Sequence, residues 1–293
     1  MKMTNDHNLP DELLQALKPY DRKVRENRYS VTEIIDAPCK VLLTRRHYDE
    51  IVEDASSRIW AMFGSAMHSV IEQNGKENWL LEKKLVTLLE GITIAGVLDI
   101  YKPDEQEIVD FKTTSVWSII YGDRLHEWAL QLNIYAWMLR RHGYPVKAIA
   151  NTYILKDHNA GKALQGGDYP QIPAGKVYHK LMTDKQIEEY LLARFAVYEV
   201  GNKLYDENLI PCTARERWAK PTTYAVMKGE NKRATKVCDD LEFANNYILR
   251  LEMEGAKAGT YNVVERLGED VRCNSYCSVK EYCPYYKNKE VKA

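Results

Sequence analysis

Gly96-Val97-Leu98-Asp99 and, after a charged turn, Ile108-Val109-Asp110-Phe111-Lys112-Thr113 decide how this chain is read. Both are short, apolar-rich runs bounded by turn residues, which predicts two neighbouring strands. In Asp110-Phe111-Lys112 the two-residue pleat sends Asp110 and Lys112 to one face and Phe111 to the other. Asp99, near the end of the preceding strand, joins that face if the register sets it opposite. Mg²⁺ takes oxygen ligands and keeps several waters, so two carboxylates suffice to hold it against a phosphodiester. A lysine beside them can orient the attacking water or stabilise developing charge. An acid-x-lysine pair by itself is an ordinary surface ion pair of little energetic weight, so the neighbouring sequence decides its meaning.

Working outward, Leu80 to Leu89, Ile92 to Tyr101 and Glu107 to Thr113 read as a β-meander, with Glu90-Gly91 and Lys102-Pro103-Asp104 as turns. Residues 10–73 read as helices, one of them opened by the capping-box sequence Ser30-Val-Thr-Glu33. In Gly64-Ser-Ala-Met-His68-Ser-Val-Ile-Glu72, His68 and Glu72 share a helical face. Downstream, Leu125, Trp128, Ala129, Leu132, Tyr135, Ala136 and Leu139 recur at helical spacing until Gly143-Tyr-Pro. Residues 146–155 read as a further strand, 157–175 as a loop and 184–206 as a helix. Beyond Pro221 a hairpin (222–227 and 235–237) and a helix (240–254) form an accessory element. The organisation expected is one domain over 1–293: a helical extension at 1–29, a core at 30–220, the accessory element at 221–264 and a cysteine-rich segment at 265–293.

Composition narrows the class. A chain of 293 residues with 45% hydrophobic and 28% charged residues suits a globular core. The net charge of -1 is not that of a strongly basic nucleic-acid binder. Local clusters nevertheless exist at Arg45-Arg46-His47, Lys83-Lys84, Arg140-Arg141 and Lys232-Arg233. The polar N-terminus and the lack of a membrane-length apolar run point to a cytoplasmic protein without a membrane partner. Six cysteines in a reducing compartment argue against a disulfide framework. Asn159-Ala-Gly-Lys lacks the residues of a phosphate-binding loop, so no motor is evident.

Together these residues resemble the PD-(D/E)XK nuclease superfamily, in its RecB-like branch with CRISPR-associated and related iron-sulfur exonucleases. Four motifs in order carry the resemblance: Gly64, His68 and Glu72; Gly96 and Asp99; Asp110 and Lys112; Gln131 and Tyr135. It implies an α/β fold with a mixed central sheet flanked by helices. It further implies Mg²⁺ or Mn²⁺ on His68, Asp99 and Asp110, catalysis assisted by Lys112, and strand or active-site contacts from Gln131 and Tyr135. The implied activity is hydrolysis of DNA, most simply by a single-strand exonuclease of bacterial or phage recombination and repair, with recombination or helicase proteins as partners. A non-catalytic DNA-binding or scaffolding subunit is the alternative.

Cys273, Cys277 and Cys283 place three thiols in eleven residues, the signature of a soft-metal site. The resemblance supplies Cys39 as the fourth ligand of a 4Fe-4S cluster joining the chain ends. The three-residue spacing between Cys273 and Cys277 departs from the two usual in the family, and structural zinc is the alternative occupant. Cys212 and Cys238 are expected to be unliganded. Tyr276, Tyr282, Tyr285 and Tyr286 either stack on unpaired bases or pack around the cluster.

Overall fold

Capping chemistry and turn residues set the element boundaries in the computed structural model, which describes residues 1–18 and 24–290. Residues 19–23 of the expected N-terminal helical region, and 291–293, lie outside the described residues. The chain forms two compact units, Met1–Leu209 and Ile210–Ala293.

The first unit runs β1 (Lys2–Thr4), α1 (Asp11–Ala16), β2 (Arg28–Ser30), α2 (Val31–Ile35), α3 (Pro38–Arg46), β3 (Val52–Asp54), α4 (Ile59–Asn74), β4 (Leu80–Leu89), β5 (Ile92–Lys102) and β6 (Glu107–Thr114). It continues α5 (Val116–Ile120), α6 (Leu125–Arg141), β7 (Ala148–Leu155), α7 (Ala160–Ala163), β8 (Ala174–His179) and α8 (Asp184–Asn202). The central sheet is mixed, with order β2-β5-β6-β7-β8 and β4 paired to the other edge of β5. Glu90 (φ 47°) and Gly91 (φ 77°) make the tight β4–β5 turn, the positive-φ geometry that matches strand twist. The capping box of α2 is present, Ser30 and Glu33 each bonding the other's backbone N–H.

The edge of β5 opposite β4 is shared by two partners. Residues 93–95 pair in parallel with β2, whereas 100–102 pair antiparallel with β6. Between them, the stretch Gly96–Asp99 has no ladder partner on that side among the described residues. The Ile100–Val109 register points Asp99 at Asp110, but the strands part there. This gap positions the site.

Helix α6 packs over β4, β6 and β7, with α2 and α8 against it. The sequence periodicity gave it one apolar stripe. In the structure Ile134, Trp137 and Met138 are buried too, because α8 covers the side turned away from the sheet. Gly143 (φ 85°) ends the helix: its N–H bonds Arg140 and that of Tyr144 bonds Leu139, which satisfies two terminal carbonyls. Four strands of this unit, β1, β2, β3 and β8, fall wholly or partly where helix or loop was expected. Strand β2 has only three residues, and β8 alternates exposed and half-buried positions on an edge, so neither carries a strong hydrophobic period.

The second unit contains β9 (Ala219–Lys220), β10 (Thr223–Lys228), β11 (Lys236–Cys238), α9 (Leu241–Met253), β12 (Tyr261–Arg266), β13 (Glu269–Asp270), α10 (Val271–Ser275) and α11 (Pro284–Glu290). The hairpin and helix match expectation, and β12 adds a third strand to form the antiparallel sheet β11-β10-β12. Val226, Cys238 and Ala244 form its small core, flanked by Tyr247 and Val263. Strands β9 and β13 pair separately. Among the described residues no helix is long and apolar enough to cross a membrane.

Candidate metal-dependent active site

Asp110 lies on β6 at the β5–β6 gap, and the whole residue is only 3% exposed. A buried carboxylate is costly unless matched with hydrogen-bond donors. Asp110 is so matched: Lys112 Nζ lies 2.7 Å from its Oδ2, Asn151 Nδ2 donates to Oδ2 at 2.6 Å, and Gln131 Nε2 donates to Oδ1 at 3.3 Å. Lys112 also donates to Gln131 Oε1 at 3.0 Å. Asp110, Lys112 and Gln131 therefore close a three-membered ring across β6 and α6. Asn151 faces Asp110 in the parallel β6–β7 register and accepts from His179 Nε2 at 2.7 Å. Burial pushes His179 below the ordinary histidine range, against the pull of Asp110, so the ring is neutral near pH 7.

Asp99 stands across the gap. Its Oδ2 accepts the Phe111 N–H at 2.8 Å, a bond available because the β5–β6 ladder has already ended. Burial first, and then the neighbouring Asp110 carboxylate, push Asp99 up to about 7, against the pull of His68, the Phe111 N–H and Lys112. His68, from α4, brings Nδ1 to 3.6 Å from Asp99 Oδ1 and 3.2 Å from Glu82 Oε1. One ligand atom from each of His68, Glu82 and Asp99 lies within 4.8 Å of the others.

Glu82 was not among the sequence candidates. It faces Asp99 between the Leu81–Ile100 and Lys83–Leu98 pairs, and its φ of 43° is left-handed within a strand. A bulky non-glycine residue held there is strained, and such strain concentrates at functional sites. The only sequence signal was an acid at the strand position opposite Asp99, which becomes visible once the register is known.

Tyr135 lies beneath this cluster rather than on its surface, and is 4% exposed. Burial, then Asp110 and Asp99, raise its hydroxyl pKa, while hydrogen bonds from Gln131 and the Val97 backbone oppose the shift. The Val97 N–H belongs to the unpaired stretch of β5, so Tyr135 occupies the place of a missing strand partner. This packing also accounts for Gly96: a Cβ there would lie 2.7 Å from Tyr135 Cε1 and 2.9 Å from Val31 Cγ2. Glu72, one turn after His68, is exposed.

A family model for the PD-(D/E)XK nuclease superfamily matches residues 9–284. The chain belongs to this superfamily. No curated protein is significantly similar to it in sequence. The crystal structure of SSO0001 is 19% identical, with a TM-score of 0.45 over 63% of this chain and 84% of that one. A phage-related exonuclease from Haemophilus somnus 129PT is 14% identical, with a TM-score of 0.35 over 60% and 92% of the two chains.

PD-(D/E)XK nucleases work with divalent metals, and the donor set here fits one. Asp99 and Asp110 repel each other in a buried setting, the frustration that a bound cation relieves. Asp99, Glu82 and His68 would hold the ion on one side of the gap, with Asp110 on the other.

The cysteines divide between the units. Cys39 lies on α3 in the first and is 3% exposed. Cys212, Cys238, Cys273, Cys277 and Cys283 lie in the second. Of the tyrosines read as stacking candidates, Tyr276 is 67% exposed, whereas Tyr285 donates its hydroxyl to Asp270 at 2.9 Å.

Proposed function

We propose that this chain is a Mg²⁺- or Mn²⁺-dependent deoxyribonuclease that digests single strands from an end during recombination or repair. The observation that carries the reading is the Asp110–Lys112–Gln131 ring facing the His68, Glu82 and Asp99 cluster across the β5–β6 gap. A divalent cation supplies Lewis acidity and lowers the pKa of bound water. Lys112, fixed by Asp110 and Gln131, directs its ammonium to the charge that develops on the phosphoryl oxygens. Asn151 orients the Asp110 carboxylate, and His179 fixes the Asn151 amide.

Single-strand preference is supported by aromatic side chains on α4 and α5. Trp60 and Phe63 are 57% and 41% exposed on the helix that carries His68, and Trp117 and Tyr121 stack at 5.7 Å just after β6. Lys156 sits 4.1 Å above Trp60 and Lys162 5.8 Å above Trp117. Exposed rings with ammonium groups over them offer stacking to bases and charge to the backbone, a sequence-tolerant mode of holding single strands. End dependence, a bacterial or phage cytoplasmic setting, and recombination or helicase partners rest on the resemblance of the four motifs.

We also assign Cys273, Cys277 and Cys283 to a structural metal centre, a 4Fe-4S cluster or zinc. The nuclease reading is tested with end-labelled single and double strands, with and without Mg²⁺ or Mn²⁺, comparing wild type with Asp110→Ala. Metal-dependent degradation abolished by the substitution is the expected result. Equal survival of every substrate with both proteins refutes it.

A further inference from the structure

Near the start of the second unit, a single helical turn ends on a tryptophan where glycine is the usual residue. Both ends of this turn are closed. At its start Thr213 and Glu216 cap each other: the Thr213 N–H donates to Glu216 Oε2 at 2.8 Å and the Glu216 N–H to Thr213 Oγ1 at 3.3 Å. At its end the Ala219 N–H reaches the Ala214 carbonyl at 2.9 Å and the Trp218 N–H the Arg215 carbonyl at 3.0 Å, the paired bonds of a Schellman closure. That closure takes a left-handed residue, and Trp218 supplies it at φ 53°. Glycine adopts this conformation without a Cβ penalty, so a bulky aromatic strains the backbone without helping it close.

The ring does not fill a core either. Trp218 is 38% exposed, and Tyr276 beside it, with ring centres 5.4 Å apart and planes at 55°, is 67% exposed. Arg272 sets its guanidinium carbon 5.4 Å from the centre of the Trp218 ring. The Tyr276 N–H bonds the Arg272 carbonyl at 2.9 Å, the helical spacing that puts Arg272 and Tyr276 on one side of α10.

Hydrogen bonds fix the turn and the helix to each other. The Arg272 N–H bonds the Arg217 carbonyl at 3.0 Å, and Arg272 Nη1 donates to the Glu216 carbonyl at 3.2 Å. Arg217 donates to the Cys212 carbonyl and, through Nε at 3.1 Å, to Asp270. Asp270, only 4% exposed, also accepts from the Tyr285 hydroxyl at 2.9 Å and Lys289 Nζ at 2.8 Å, and it pairs with Ala219 in the β9–β13 ladder.

We infer that Trp218, Tyr276 and Arg272 form a stacking subsite for an unpaired nucleobase of a single strand, carried by the second unit. Partly exposed rings meet the flat face that every base presents, and the guanidinium adds charge for the adjoining phosphate, so the subsite is sequence-tolerant. Rings held in place before the strand arrives lose little freedom on binding, which gives the strained turn its purpose. The choice of nucleic acid as ligand rests on the nuclease reading.

The test is binding of fluorescein-labelled oligothymidylate to full-length protein in EDTA, read by anisotropy, with an abasic strand of equal length as the second probe. The abasic strand keeps the phosphates and lacks the bases. Wild type should bind oligothymidylate the more tightly of the two. Trp218→Gly suits the left-handed backbone and should keep the urea midpoint of wild type or raise it. Trp218→Gly and Tyr276→Ala should each weaken oligothymidylate binding roughly five- to hundredfold and leave abasic binding nearly unchanged, while Trp218→Phe recovers most of the loss. Wild-type affinity for oligothymidylate in Trp218→Gly overturns the inference. An equal loss for both probes overturns it too, since that marks charge contacts rather than stacking. Because EDTA removes metal-dependent cleavage from the measurement, the two readings fail separately. Strand cleavage by wild type, with undiminished binding by Trp218→Gly, removes the subsite alone. Base-dependent binding that Trp218→Gly loses, in a protein that cleaves no strand when Mg²⁺ or Mn²⁺ is added, removes the nuclease reading and keeps the subsite.

Discussion

Asp99→Asn gives the sharpest test of the proposed metal site, because one change should act oppositely on stability and on cation response. In the folded chain the Asp99 carboxyl is raised from 3.8 to about 7 by burial and by Asp110. A raised acid binds more protons folded than unfolded, so it lowers stability as pH rises between those two values. At about 1.4 kcal/mol per pH unit, the full cost above pH 7 is roughly 4 kcal/mol. Asparagine keeps the shape and removes the charge, and the Phe111 N–H bond already acts within that raised value. With EDTA present, Asp99→Asn should therefore be roughly 4 kcal/mol more stable than wild type at pH 8 and close to it at pH 4. Urea denaturation followed by tryptophan fluorescence reads this difference. Added Mg²⁺ should stabilise wild type, through binding to the folded state, and leave the variant nearly unchanged. Equal destabilisation of the variant at both pH values, or an identical Mg²⁺ response, would refute the reasoning.

Three further changes test other parts of the site. Lys112→Ala should lower metal-dependent turnover by about 10²-fold or more with little effect on strand binding, as read by single-turnover cleavage and fluorescence anisotropy. Lys112→Arg should not restore it, since the planar guanidinium cannot occupy the point between Asp110 and Gln131. Asn151→Ala leaves Asp110 buried with one donor fewer and should cost about 1–3 kcal/mol in denaturation while raising the Mg²⁺ concentration needed for half-maximal activity. Gly96→Ala drives a methyl against the Tyr135 ring and Val31; a loss of about 1–3 kcal/mol is expected, and Tyr135→Phe on that background should not relieve it, because the ring carbon remains at 2.7 Å.

Much of this protein is written locally. The meander strands, the long helix α6 and the accessory hairpin follow from two- and 3.6-residue periods and from turn residues such as Glu90-Gly91 and Gly143. The resemblance carried by the four motifs in order is what named Asp99, Asp110, Lys112, Gln131 and His68 as a group. What remained hidden depended on partners remote in sequence. Glu82 carries no motif and becomes a candidate only because the β4–β5 register faces it to Asp99. Tyr135 reads like a surface contact at one turn from Gln131, yet it fills the gap left where β5 changes partner from β2 to β6.

The cysteines divide in the same way. Spacing alone brings Cys273, Cys277 and Cys283 together, since a few residues of chain cannot separate them far. Cys212 lies outside any such window, and the Arg217 side chain, which bonds both the Cys212 carbonyl and Asp270, together with the β9–β13 pairing brings its loop near the start of α10. Sequence thus determined which residue types this protein has for holding metals and which strands and helices carry them, because those depend on near neighbours along the chain. Tertiary structure decided which of them meet, because a ladder that ends early and a buried acid that gathers distant donors are properties of pairing, not of spacing.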